Sequence, residues 1–266
     1  VTTSLVQTRR LADAPIAVVQ LSREHRLNAL DDALIGELAS VAEQLRDDAS
    51  LRAVVLTGGT RVFSAGADFT TFDKVKGEAD VNRVRRMLAR GGRMVEAWQS
   101  LPMLTVAAVE GGAVGGGFGL TLACDWRVFA RDGYAYVPEA RLGLNYGWGA
   151  LPRLTALAGP ARAKWIGVLC QRHAAAQLQE WGIADVVAEK GQALEAAIRL
   201  AREVAAFPTL PTQLIKRAVN AYSQALASAA SYGDMEEMLV CMTDADGDLA
   251  RATAIESVRA RKDNAQ

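Results

Sequence analysis

The sequence predicts an α/β protein built on a buried sheet. Short, uncharged runs rich in apolar residues recur at 16–21 (IAVVQL), 53–57 (AVVLT) and 104–109 (LTVAAV). Stretches with helical spacing lie between and after them. Strand–helix alternation with apolar strands implies a sheet core covered by helices. The strand–turn–helix unit recurs only loosely, at AVVQL, AVVLTGG and TVAAVEGG, and there is no strong exact repeat.

Each element has a local reason. Residues 16–21 form a short strand by composition, and 22–32 (SREHRLNALDD) read as a polar loop. Over 30–45 the apolar positions Leu30, Leu34, Ile35, Leu38, Val41, Ala42 and Leu45 fall at helical spacing and leave one stripe to bury. Residues 53–57 are a second strand running into the Gly58–Gly59 turn, and 63–69 (FSAGADF) are a small-residue turn. A charged helical stretch covers 81–100. A third strand at 104–109 leads into GGAVGGGFG at 111–119 and then an apolar helix-like run to Cys124. Short strands at 126–130 and 134–137 flank a turn at 131–133. Past Gly149 the pattern is mostly helical. The segment FPTLP at 207–211 is the clearest break. It divides a core, 1–206, from a C-terminal helical subdomain, 207–266, whose helices run over about 212–263.

Composition bounds the function. The 266 residues suit one domain with appendages, or a large domain and a small one. Thirty basic residues meet thirty acidic ones, so no global field favours nucleic acid or an anionic membrane, and neither is expected as a partner. Cys124, Cys170 and Cys241 are odd in number and widely spaced, which argues against a disulfide framework. No CxxC pair or His-rich cluster suggests a metal. The N-terminus VTTSLVQTRR has no apolar signal core, and no run approaches a membrane span, so the expected location is cytoplasmic.

Several motifs carry little chemistry. GGAVGG is not a GxGxxG in phase, and no acidic residue ends a second strand about 20 residues later, as a dinucleotide site would need. There is no GxSxG elbow. His173 and Cys170 have no catalytic partner pattern and read as structural. DADGD at 244–248 has the wrong spacing for a calcium loop and reads as a helix start. Glu110, after a buried strand, reads as a turn cap or the partner of a base. A glycine cluster alone is more often a tight turn than a site.

Taken in order and spacing, however, LNAL at 27–30, FSAGADF at 63–69 and AVEGGAVGGGFGLTLACD at 108–125 resemble the crotonase superfamily, the enoyl-CoA hydratase/isomerase family. The correspondence continues through PEARLGL at 138–144 and covers roughly 16–187, with a weaker C-terminal match. The resemblance implies a crotonase-like spiral of repeated ββα units and a C-terminal helical trimerisation subdomain, hence a homotrimer or hexamer. It also implies an acyl-CoA thioester substrate, as in fatty acid metabolism. No cofactor is expected beyond the coenzyme A that the substrate carries, and no metal.

Removing a proton beside a thioester carbonyl puts negative charge on its oxygen. Two preorganised N–H donors stabilise that charge by roughly 3–4 kcal/mol each in other enzymes. Small residues let the backbone come close enough to donate. By resemblance, the amides of Ala67 and Gly116 form this oxyanion hole. Ala65, Asp68, Phe69, Gly115, Phe118 and Gly119 are the substrate-lining residues of the same two loops.

In the family's hydratases two glutamates face each other across the substrate. The first position is Gly119 here, so that carboxylate is missing; the second is Glu139, which by resemblance is the catalytic acid–base residue. Its neighbours Val137, Leu142, Leu144 and Trp148 are apolar, and burial raises a carboxyl pKa toward neutrality. The competing reading is a surface ion pair with Arg141. One carboxylate suffices for a 3-enoyl to 2-enoyl double-bond shift, which is slightly favoured over hydration by a compensating second group. Further alternatives are dihydroxynaphthoyl-CoA synthase-like chemistry, on the likeness of 147–172, and a non-catalytic acyl-CoA-binding paralogue. No carboxylate occupies the LGLNYGWG stretch where some relatives carry an aspartate.

Arg26, with Arg23 and His25 beside it, stands where the family places a base against the coenzyme A phosphates. Trp148, Tyr146 and Phe118 are either acyl-pocket walls or plain core. Phe69 and Phe72 are in the same position around a pocket lid.

Overall fold

A computed structural model describes residues 4–263, leaving aside the side chains at 72, 73, 228 and 257–263. The expectation at Phe72 lies outside the described side chains. In chain order the elements are β1 (Val6–Arg10), β2 (Ile16–Leu21), α1 (Asp32–Arg46), β3 (Ala53–Thr57), α2 (Thr70–Lys76), α3 (Val81–Gln99), β4 (Leu104–Val109), β5 (Gly112–Val114), α4 (Gly116–Leu122), β6 (Trp126–Ala130) and β7 (Tyr134–Tyr136). They continue with α5 (Ala150–Leu169), β8 (Arg172–Ala174), α6 (Ala175–Glu180), β9 (Val186–Ala188), α7 (Ala193–Ala205), α8 (Thr209–Ser223), α9 (Ala227–Ser231), α10 (Asp234–Thr243) and α11 (Ala245–Asp263). Short 3₁₀ turns occupy Glu24–Arg26 and Glu139–Leu142.

The three apolar runs of the sequence become neighbours. The main sheet has the order β1-β2-β3-β4-β6-β9 and is parallel except for β1 against β2. Ile16 pairs with Ala53 and Ala53 with Leu104, so β2, β3 and β4 run in step. The turns after them therefore leave one edge of the sheet together. A smaller sheet, β5-β7-β8, forms a second row, and parallel bridges Leu30–Ala67 and Ser64–Ala113 extend that row back to the first two turns. Each turn of chain gives one strand to the large sheet and one short segment to the second row. This is the repeat that the resemblance implied.

Period-2 alternation splits the strands between two cores. Ile16, Val18, Ala53, Val55, Val106, Ala108 and Val128 face α7, which presents Ala193, Ala196, Ala197, Ala201 and Ala205. Small side chains let that helix sit close across the sheet. Its start is fixed by Glu110 at the end of β4, whose carboxylate accepts the amides of Gly191 at 3.1 Å and Ala193 at 2.8 Å. An acidic group at a helix N-terminus satisfies orphan donors and favours the helix dipole. The opposite face, with Ala17, Val19, Val54, Leu56, Ala107 and Val109, packs on Leu34, Leu38, Met94 and Trp98 from α1 and α3. Trp98 is fully buried, and its indole N–H donates to Leu38 O at 3.1 Å.

Three local readings need correction, and one holds. Strands β1, β8 and β9 carry no usable pattern: β1 buries only Val6, and the other two have three residues each. The mostly helical reading past Gly149 therefore misses two strands. Segment 22–32 is not simply a polar loop, since Asn28 and Leu30 are fully buried. Helix α4 starts inside the glycine cluster, not after it. DADGD does start a helix: the Asp244 carboxylate accepts the Gly247 amide at 2.9 Å.

Helix α8 begins within the 207–211 segment, at Thr209 rather than near 212, and is fastened by Lys216, its one buried residue among those described. Its ammonium donates to Met103 O at 2.8 Å and pairs with Asp125 at 2.7 Å. Asp125 also accepts the Thr105 amide and hydroxyl at 2.7 and 2.9 Å. Removing one partner of a buried pair strands the other, at a cost of about 3–5 kcal/mol. Lys216→Ala is thus expected to lower the unfolding free energy read from a urea titration by an amount in that range; a loss below about 1 kcal/mol would mean solvent reaches Asp125.

Candidate active site

The site is assembled where the turns after β2, β3 and β4 meet. Asn28 holds the first two together. It is fully buried with φ +51°, a left-handed conformation that Asn tolerates better than most residues. Its Nδ2 donates to Gly58 O at 2.7 Å and Phe63 O at 3.2 Å, and its Oδ1 accepts the Arg23 amide at 2.9 Å. Ser64 Oγ donates to Asn28 O at 2.7 Å and accepts the Gly66 amide at 3.1 Å.

These bonds leave one amide over. In the 63–68 turn, the amides of Phe63 and Ser64 donate to Gly112 O, that of Ala65 to Leu27 O, that of Gly66 to Ser64 Oγ and that of Asp68 to Leu30 O. Leu30 N–H donates to Gly66 O at 2.8 Å, so Ala67 is bracketed by the two bonds of a parallel bridge and turns its own N–H the other way. Among the described residues the Ala67 amide has no protein acceptor.

The second loop lies directly on the first. A Cβ on Gly66 would stand 2.9 Å from Val114 O and 3.7 Å from Gly115 Cα. Gly115 takes φ +48° and ψ −122°, its amide donates to Tyr136 O at 2.8 Å, and the next residue opens α4. The first N–H groups of a helix have no partner within it, so the Gly116 amide is free to face a ligand.

Glu139 closes the group. It sits on the 3₁₀ turn after Pro138, and its Oε1 lies 2.4 Å from where a Cβ on Gly115 would go, a close approach that adds to the positive φ in favouring glycine there. Its Oε2 is shut off from solvent and has no hydrogen-bond partner among the described residues. Although the residue is half-buried as a whole, the carboxyl is turned inward rather than toward an ion pair with Arg141. Burial pushes its pKa from 4.5 up to about 8, only partly offset by its own backbone N–H.

The other expected residues are distributed around this centre. Gly119 is buried, and a Cβ there would meet Ala150 Cβ at 3.5 Å and the Tyr146 hydroxyl at 3.6 Å. The Trp148 ring lies against Gly116 of α4 and Gly91 of α3. It also borders a cavity of about 1020 Å³ between α3 and the C-terminal helices, whose walls do not include Ala67, Gly116 or Glu139. The cavity is therefore beside the group formed by Ala67, Gly116 and Glu139, with Trp148 at the junction. Phe118 is fully buried in the main core, and Phe69 is half-buried. Burial pushes the Asp68 carboxyl up, but the Thr70 amide, Arg23 and the Thr70 hydroxyl together hold it below the ordinary aspartate value. Arg26 and His25 are exposed. Arg23 is not available to a phosphate: it pairs with Asp31 at 3.0 Å and Asp68 at 2.9 Å.

Residues not anticipated from sequence include Asn28, Arg153 and Asp234. Arg153 donates to Trp148 O and Gly149 O at 2.9 and 2.8 Å, and Asp234 of α10 accepts the Gly149 amide at 2.7 Å. A carboxylate from the far end of the chain thus reaches a stretch that has none of its own. His173 is buried with Nδ1 2.8 Å from Gln177 Oε1, and burial pushes the Cys124 thiol up to about 12, so neither group is set up as a nucleophile.

The family profile described as enoyl-CoA hydratase/isomerase matches residues 12–250. A short-chain-enoyl-CoA hydratase of Clostridium acetobutylicum is 28% identical over 245 residues, 92% of each chain. A probable enoyl-CoA hydratase of Bacillus subtilis is 37% identical over 136 residues, 51% of this chain and about half (52%) of that protein. The match to a fatty acid oxidation complex subunit alpha of Idiomarina loihiensis, 33% identical over 71% of this chain, spans 26% of its length. The crystal structure of an enoyl-CoA hydratase/isomerase from Mycobacterium paratuberculosis superposes with a TM-score of 0.85 at 26% identity, covering 94% of this chain and 98% of the other.

The Glu139 carboxyl gives a stability signature that needs no substrate. Its pKa is raised in the fold, so between about 4.5 and about 8 the folded state holds a proton that the unfolded chain has lost. Stability from this group is therefore full below 4.5 and declines as pH rises through that window. Glu139→Gln removes the decline. The variant is expected to gain on the wild type in thermal midpoint as pH rises from 5 to 8.5; parallel curves would place the carboxyl in solvent.

Proposed function

Because this chain belongs to the enoyl-CoA hydratase/isomerase family, we propose that it holds the enolate of an acyl-CoA thioester between the Ala67 and Gly116 amides while Glu139 carries the proton. Glu139 takes a proton from C2, the charge moves to the thioester oxygen, and the two N–H groups stabilise it. Returning the proton at C4 converts a 3-enoyl-CoA to a 2-enoyl-CoA with atoms and charge in balance.

The observation that carries the isomerase preference is the pairing of a buried glycine at 119 with an inward carboxyl at 139. A single carboxyl can do both proton steps of a double-bond shift. Hydration needs a second group to hold the water. The Tyr146 hydroxyl beside position 119 favours hydration as a second reading, and so do the printed names of the relatives. Arg26, exposed on the Glu24–Arg26 turn, is the proposed contact for coenzyme A phosphate. Apolar side chains left exposed on α5 and α8, among them Trp165, Val168, Leu214, Ile215 and Val219, support the homotrimer or hexamer reading.

The test supplies 3-enoyl-CoA and 2-enoyl-CoA separately and follows double-bond position and water addition. Isomerisation is expected to dominate. Since the base form of Glu139 appears only as pH approaches about 8, kcat/KM should rise with pH and level off above that value, and Glu139→Gln should lower it at least about 100-fold. Ready hydration with no isomerisation would sink the preferred reading, and tight binding with no turnover would mark a binding protein. At position 119 a Cβ meets its neighbours at ordinary van der Waals distance. Gly119→Glu is accordingly expected to raise hydration of 2-enoyl-CoA by about tenfold or more, within the range of one acid–base group.

A further inference from the structure

Tyr146 enters the sequence reading only as an aromatic near the acyl pocket. In the fold its side chain is 6% exposed, and its hydroxyl donates to Gly115 O at 3.1 Å. The same carbonyl accepts the Gly119 amide at 2.9 Å. Gly115 C=O and Gly116 N–H are the two ends of a single peptide unit. That unit is planar and trans, so fixing the direction of the carbonyl fixes the direction of the N–H, which points the opposite way.

Gly115 cannot set this direction itself. Glycine accepts a wide range of dihedrals, and φ +48° with ψ −122° is not a conformation that it prefers over others by a large margin. Contacts made by the peptide must hold it, and the two on its carbonyl are the Tyr146 hydroxyl and the Gly119 amide. A donor on a carbonyl also draws electron density along the amide, so the N–H at its other end becomes the stronger donor; such chains gain about 10–30% per bond. Tyr146 keeps its proton for this purpose. Burial, and then the charge of Glu139, push its phenol well above the ordinary tyrosine value.

We propose that Tyr146 is a positioning residue for the oxyanion: its hydroxyl fixes and polarises the Gly115–Gly116 peptide so that the Gly116 N–H meets the thioester oxygen. It touches no reacting atom. The inference rests on the reading of Gly116 as an oxyanion donor given above.

The test separates the two claims. A saturated short-chain acyl-CoA labelled with carbon-13 at its carbonyl is bound to the wild type and to Tyr146→Phe, and the carbonyl stretch is read by difference infrared spectroscopy. The rate of alpha-proton exchange with deuterium oxide is measured on the same proteins. In the wild type the stretch should move to lower frequency on binding. In Tyr146→Phe the shift should shrink and kcat for exchange fall about tenfold, with KM within about twofold, the worth of one hydrogen bond acting after binding. No shift in the wild type would overturn the oxyanion reading itself. A wild-type shift that Tyr146→Phe retains would overturn the role of Tyr146, whether or not the rate falls; a lower rate with the shift retained would point to direct proton transfer by the phenol. Should Tyr146→Phe fail to fold, 3-fluorotyrosine placed at position 146 alone gives the same answer. As a stronger donor it should lower the stretch further, and an unchanged stretch would overturn the proposal.

Discussion

A backbone amide removed from water has to find an acceptor, and most of this site follows from that requirement. The turn at 63–68 has few side chains able to help and is wedged between two other turns. Its amides are taken up one after another by Leu27, Leu30, Gly112 and the Ser64 hydroxyl, until the Ala67 amide alone has no protein acceptor among the described residues. The same pairing fixes where Gly115 must lie, because Val114 N–H donates to Ser64 O at 3.0 Å. What makes the loops rigid and what leaves a donor spare are thus one set of hydrogen bonds. A donor held in advance loses little on binding charge, which is the physical meaning of preorganisation here.

The sheet was legible in the sequence where its strands are apolar on both faces. β2, β3 and β4 lie between α7 on one side and α1 with α3 on the other, so nearly every residue in them is hydrophobic. β1 is an edge strand with four of its five residues exposed, and nothing in VQTRR distinguishes it from a loop. β8 and β9 are too short for alternation to be visible. Their pairing with β7 and β6 is set by chain segments many residues earlier, which no local window contains.

The candidate site was legible in a different way. Glycine and alanine in the two loops, and Glu139 after Pro138, are visible because their spacing matches a known pattern. Asn28, Arg153, Lys216 and the hydroxyl contact of Tyr146 are not, since a polar group looks the same in sequence whether it faces water or is buried against carbonyls. Their roles depend on partners at a distance: Asn28 on Gly58 and Phe63, Tyr146 on Gly115, Lys216 on Met103 and Asp125. Arg23 is the instructive case. A base in a polar segment invites a phosphate, yet two aspartates 8 and 45 positions along the chain already hold it.

Asp234 gives the C-terminal helices a place in this arrangement. By accepting the Gly149 amide, and with its own carbonyl accepting Asn145 Nδ2 at 3.1 Å, it grips both ends of the short loop that carries Tyr146 and Trp148. That loop in turn touches the Gly115–Gly116 peptide from two sides, through a hydroxyl and an indole ring. Helix α10 thus serves as the outer mount of an instrument whose working parts lie about a hundred residues earlier in the chain. Helix α10 supplies none of the proposed oxyanion or acid–base groups, yet through this loop it bears on the Gly115–Gly116 peptide as directly as the glycine loops do.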